Sequence, residues 1–186
     1  MLQIYLRMAG MRRNSGLAMA MVIAVCVAAG AEAKTKPIQL ALVSPTQLVP
    51  EDQSISGVRF ALVYGVNDDV SGIDLGLVTK TTGDQFGASW GLVHLNKGSF
   101  VGIQKGFVNQ VEGDFKGWQN GFVNLTDGKF SGLQTGIVNH VGDLHGIQLG
   151  IYNSALRLDG GLQIGLLNFN ESGKPHGFLP IVNWRF

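Results

Sequence analysis

GIQKGFVNQVEGDFK (Gly102–Lys116), GWQNGFVNLTDGKFS (Gly117–Ser131) and GLQTGIV (Gly132–Val138) follow one another without a gap and say nearly the same thing. The period is fifteen residues. As a template each unit reads GΦQxGΦVN, where Φ is apolar, then a polar turn carrying glycine, then an apolar residue two places before the next unit. One such unit buries too little to stand alone, so the pattern predicts a chain that stacks the unit on itself.

Outward from this stretch, units open at Gly57, Gly72, Gly87, Gly102, Gly117 and Gly132, always fifteen apart. The interval falls to fourteen before Gly146, returns to fifteen at Gly161, and a degenerate unit, GFLPIVN from Gly177, closes the chain. The second and sixth positions are apolar: Ile103 and Phe107, Trp118 and Phe122, Leu133 and Ile137, Ile147 and Ile151, Leu162 and Leu166. Alternation along a strand puts such residues on one face, expected to be the core. The third position is Gln104, Gln119, Gln134, Gln148 and Gln163; the eighth is Asn109, Asn124, Asn139, Asn153, Asn168 and, in the last unit, Asn183. Stacked about 4.8 Å apart, their amides donate and accept along the stack as ladders, expected to face solvent. Glycines at the first and fifth positions clear the face opposite the core and mark bends or close backbone approach. Lys97-Gly98, Glu112-Gly113, Asp127-Gly128 and Gly142-Asp143 suit tight turns, after which Phe86, Phe100, Phe115, Phe130, Leu144 and Leu158 return the chain to an apolar interior.

Two all-β architectures fit. In a β-solenoid each unit is one coil and equivalent residues stack in equivalent surroundings. In an up-and-down barrel each unit is a strand and a turn, and every second strand reverses, so units should repeat in pairs. No pairing is visible, which favours the solenoid. The barrel draws on ten candidate strands and on Phe178, Val182, Trp184 and Phe186, whose alternation and terminal aromatic are similar to the last strand of outer-membrane barrels. Against it, Lys105, Asn120 and Thr135 would meet lipid, and a midplane Lys there costs about 2–4 kcal/mol.

The chain divides into a leader, residues 1–33, an N-terminal strand and cap, 34–56, and the β-repeat domain, 57–186. Arg12 and Arg13 precede the apolar run Leu17–Gly30, and Ala31-Glu32-Ala33 is a small-x-small cleavage site, the layout of a secretory signal peptide. Val25 before Cys26 is too large for a lipobox, so lipidation is not expected. Of 186 residues 45% are hydrophobic and 15% charged, and removing Arg7, Arg12, Arg13 and Glu32 with the leader takes the formal charge from +1 to −1. A chain so nearly neutral offers no footprint for nucleic acid. Cys26 is its one cysteine and lies in the leader, which excludes disulfides and thiol chemistry from the mature chain.

The units GLQTGIVN (Gly132), GIQLGIYN (Gly146) and GLQIGLLN (Gly161) resemble those of a family of bacterial surface-repeat proteins built on GLQIGLVN-type repeats behind a signal peptide. The resemblance runs from Gly57 to Asn183 and implies an exported, envelope-associated β-repeat protein. The first three units depart from it, with Arg59, Asp74 and Ser89 in place of Gln and Tyr64, Thr79 and His94 in place of Asn.

No catalytic, cofactor-binding or metal-binding residue is assigned. His140, Asp143 and His145 place two imidazoles and a carboxylate within six residues, but ligand types without geometry are read as solvated turn residues. Asp114, Asp127 and Asp143 recur at turns without the GGxGxDxUx spacing of calcium repeats. GxSxG, HExxH and Walker loops are missing, so no enzyme is expected. Trp90, Phe107, Trp118 and Phe122 are read as core and not as a sugar-stacking stripe. The expected function is structural or interactive, at the outer membrane or cell surface or in the periplasm, with an unidentified protein or envelope partner and no cofactor. The alternative is an integral outer-membrane barrel for anchoring or small-solute passage.

Overall fold

The computed structural model describes residues 35–186; the leader expected at 1–33 lies outside the described residues. Thirteen strands follow in order: β1 (Thr35–Val43), β2 (Thr46–Gln47), β3 (Ser54–Asn67), β4 (Val70–Thr81), β5 (Gln85–Asn96), β6 (Phe100–Lys105), β7 (Val108–Val111), β8 (Phe115–Asn120), β9 (Val123–Thr135), β10 (Val138–Leu149), β11 (Tyr152–Leu158), β12 (Gly161–Asn170) and β13 (Phe178–Arg185). They wind into a β-solenoid of about nine turns.

Consecutive coils pair in parallel with like residues opposite. Gly102 lies against Gly117, Gly117 against Gly132 and Gly132 against Gly146. Gln104, Gln119, Gln134, Gln148 and Gln163 form one column. Asn109, Asn124, Asn139, Asn153 and Asn168 form another. Parallel pairing overturns the ten-strand up-and-down barrel, which needs antiparallel neighbours. Among the described strands only β2 on β1 and β13 on β12 run antiparallel, one at each end of the stack. The fourteen-residue unit is absorbed by a register shift between Val141 and Asp143, at the turn, so both amide columns pass through it undisturbed.

The faces are inverted relative to the hydropathy reading. Every ladder Gln and Asn from Gln104 to Asn183 is fully buried, whereas Trp118 is 42% exposed, Phe122 50% and Leu166 65%, and Ile103, Phe107, Ile137, Ile147 and Ile151 are likewise exposed. Trp90, expected in the core, stands outside as well. The second and sixth positions do not share a strand face: β6 ends at Lys105 and β7 starts at Val108, so the glycine between them is a corner. Inside, a fifteen-residue coil encloses room for only a few side chains. A stack of amides fills it at little polar cost, because each amide meets its neighbour's complementary group. Gln119 Nε2 donates to Gln104 Oε1 at 2.9 Å, Gln134 to Gln119 at 2.7 Å, Gln148 to Gln134 and Gln163 to Gln148 at 2.8 Å.

The remaining interior column is apolar. Phe100, Phe115 and Phe130 stack with ring centroids 5.1 Å apart and nearly parallel, and Leu144 and Leu158 continue the line, with Val111, Val141 and Ala155 beside it. Phe86 does not join it; Gln85 takes the slot opposite Phe100, which turns Phe86 outward at 63% exposure. Glycine at the first position answers to neighbouring coils and not to a vacant face. At Gly117 φ is 137°, and a Cβ there would overlap the carbonyl oxygen of Gly102 one coil below. Asn183 also departs from expectation: β13 runs back along β12 and sets it opposite Gln163, in the glutamine column.

Candidate functional site

The N-terminal coils carry the interior's only buried charges among the described residues, in the slots where Gln and Asn give way. Arg59 Nε and Nη2 donate to the two carboxylate oxygens of Asp74 at 2.7 and 2.6 Å, and both side chains are fully buried. Arg59 also donates to the Lys80 carbonyl and to Thr81 Oγ1, while Gln85 Nε2 donates to Asp74 at 2.9 Å. Burial alone would raise the Asp74 pKa; the Arg59 charge and its hydrogen bonds override that and hold it below the ordinary carboxylate value. The glutamine column therefore runs unbroken through these coils as Gln39, Arg59, Asp74 and Ser89, while the asparagine column continues through His94 and Thr79 and stops at Gly65. Tyr64 is not in the asparagine slot; a register shift in β3 sets Gly65 opposite Thr79.

His94 does an asparagine's work. Asn109, Asn124 and Asn153 each donate to a carbonyl of the next coil, Asn120, Thr135 and Ile164, at 2.9–3.0 Å. His94 Nε2 lies 3.1 Å from the equivalent Lys105 carbonyl, an acceptor only, so that nitrogen carries the proton and Nδ1 accepts from the Thr79 hydroxyl at 2.8 Å. Burial pushes the His94 pKa below the ordinary imidazole value, with the Asp74 charge pulling weakly the other way. This network is sealed inside the coil. It orients charges for packing and presents no reacting group to a substrate.

The turns hold a third column that the sequence did not disclose. Ser54, Asp69, Asp84, Ser99 and Asp114 each accept, through a side-chain oxygen, the backbone N–H fifteen residues on, at 2.7–3.2 Å. Asp114 is thus committed to the N–H of Lys129. Asp143 accepts both hydrogen bonds of the exposed Arg157 guanidinium, which holds its carboxyl below the usual range. His145 Nε2 stands 3.6 Å from Asp159, and His140 is paired along the stack with Leu125 and Ser154. The structure does not bring His140, Asp143 and His145 together, and among the described residues no group of three such ligands converges.

What the fold does assemble is an outer wall. The outward side of the strands that run from the interior Phe to the first corner forms a flat face, with the second and fourth repeat positions projecting from it. The second is Val58, Ile73, Ala88, Ile103, Trp118, Leu133, Ile147 and Leu162, and Ile38 and Trp184 extend it at either end. The fourth reads Leu40, Phe60, Leu75, Trp90, Lys105, Asn120, Thr135, Leu149, Ile164 and Val182: four apolar, three polar, three apolar. At the centre Trp118 Nε1 and Asn120 Nδ2 both donate to Thr135 Oγ1, at 3.0 and 2.7 Å, and Lys105 Nζ lies 4.4 Å above the Trp90 ring.

Charge is sparse on this wall, where exposed Lys116 of β8 joins Lys105. At the first, second and fourth to seventh positions of the eight units, Lys105 is the only charged residue. The turn side carries Asp68, Asp69, Asp84, Glu112, Asp114, Asp127, Asp143 and Asp159 against Lys80, Lys97, Lys129 and Arg157. At about 4.8 Å per coil and about 3.3 Å per residue, the face measures roughly 40 by 20 Å, or about 800 Å². Comparison with protein-family models, with curated proteins and with solved structures finds no match to this chain.

Proposed function

We propose that this chain is an exported β-repeat protein of a bacterial cell envelope, at the outer membrane or cell surface, with a structural or interaction role and no catalysis. The outer wall is the observation that carries the reading, because it is broad, mostly apolar and bears few charges, Lys105 and Lys116. The signal-peptide layout before Lys34 and the resemblance of the repeats to GLQIGLVN-type surface repeats support export. Sealing polar groups inside the coil leaves the wall as the part that meets a partner. Integral barrel insertion, the alternative function, falls with the barrel.

The test is a photocrosslinking residue placed in the full chain in a bacterial host, at Ile103 on the wall or at Lys129 on the turn side, followed by cell fractionation. Envelope-fraction adducts from position 103 and none from 129 support the reading. Retention in the cytoplasm, or equal adducts from both positions, overturns it.

A further inference from the structure

We propose that the wall's partner is a second copy of this chain, docked face to face about a twofold axis through Asn120. This rests on the reading of the wall as an interaction surface and names its occupant.

Three observations carry it. The first is the fourth column, which over the nine rungs from Phe60 to Val182 reads alike from either end, with Leu40 one rung beyond. Inversion about Asn120 sets Lys105 opposite Thr135, Trp90 opposite Leu149, Leu75 opposite Ile164 and Phe60 opposite Val182, so polar meets polar and apolar meets apolar over these nine rungs, and Leu40 overhangs. That is the self-complementarity a twofold interface needs. The second is size: about 800 Å² per copy is what one side of a standard stable interface buries. The third is charge. A protein lying on an anionic bilayer has a cationic rim around its apolar face, whereas the turn side here has more acidic than basic residues. The polar centre then fixes register, as a single buried Asn does in a helical pair.

The test uses the full chain as recovered from its host, carrying Cys26→Ala, and a short bismaleimide that links thiols across packed sheets about 10 Å apart. Asn120→Cys, lying on the axis, is expected to crosslink to itself. Phe60→Cys should not, yet should crosslink when mixed with Val182→Cys. In sedimentation the parent chain is expected to be a dimer, Ile103→Asp to weaken it at least about tenfold, and Lys129→Ala to leave it unchanged, all with the same β-type circular dichroism. A monomeric parent chain, or Phe60→Cys crosslinking to itself, overturns the proposal. A monomer that floats with phosphatidylglycerol vesicles overturns it in favour of lipid. A monomer whose position 103 still gives envelope adducts sinks the twofold pairing and leaves the proposed function standing.

Discussion

Gln119 and Asn124, five residues apart in one coil, donate in opposite directions along the solenoid: Gln119 Nε2 to Gln104 of the coil before, Asn124 Nδ2 to Asn139 of the coil after. Each ladder lines up its amide dipoles, and the two ladders oppose each other. A coil's position is therefore read from both sides, and a slipped coil loses bonds in both columns.

Gln119→Leu should be costly for that reason. It strips the acceptor from Gln134 Nε2 and Thr126 Oγ1 and the donor from Gln104 Oε1. At about 1–3 kcal/mol per orphaned buried group, the three groups make a loss of about 3–9 kcal/mol in chemical denaturation. Leu166→Ser, an apolar-to-polar change on the outer corner, should stay within about 0.5 kcal/mol. Equal costs would mean that the amides do not face inward.

The Arg59–Asp74 pair should show the asymmetry of a buried ion pair. Asp74→Ala leaves the guanidinium without its counter-charge and should cost about 3–5 kcal/mol. Arg59→Met with Asp74→Leu should recover most of it, and a double variant as unstable as the single one would show that the pair does more than offset its own desolvation.

His94 gives the stability a pH dependence in the mildly acid range. Its folded pKa is depressed, so the unfolded chain binds the proton first. Stability is full above the unfolded value, about 6.5, and falls as pH drops below it. Asp74, also depressed, adds a second loss only once pH falls below the ordinary carboxylate value. His94→Asn supplies the residue the column uses elsewhere, so melting temperature between pH 7.5 and 5 should flatten in that variant. An unchanged slope would place the sensitivity elsewhere.

Backbone conformation gives a pair of opposite effects. Gly117→Ala sets a Cβ against the Gly102 carbonyl at a φ that L residues rarely adopt, and should destabilise by more than about 1 kcal/mol. Ile181 sits in β13 at φ 71°, a region that costs a β-branched residue about 1–3 kcal/mol, and its side chain is 69% exposed. Ile181→Gly should therefore raise the melting temperature, and a lowered one would show that its exposed side chain is used.

The period made the coil legible in the sequence, and Gln and Asn recurring at fixed places made the ladders legible. Which way they face was not, because apolar residues were assigned inward and amides outward. That rule fails where amides satisfy one another, and alternation cannot be carried across the corner at Gly121. Arg59 and Asp74, fifteen apart with opposite charge, were readable as a stacked pair but stood out only as departures from Gln. The Ser and Asp of the turns gave no signal, since their partners are backbone N–H groups. The palindrome about Asn120 appears only once β13 is known to run backward and bring Val182 beside Ile164.

That reversal of β13 makes the molecule a ruler. Every coil before it presents the same parallel edge as the one below, so a further fifteen residues would lengthen the rod by about 4.8 Å and leave both ends as they are. The last strand turns back and, with Pro180 in it, presents an edge that lacks an N–H where a parallel coil would add. Length is written as a count of units, with an antiparallel strand at each end of the count.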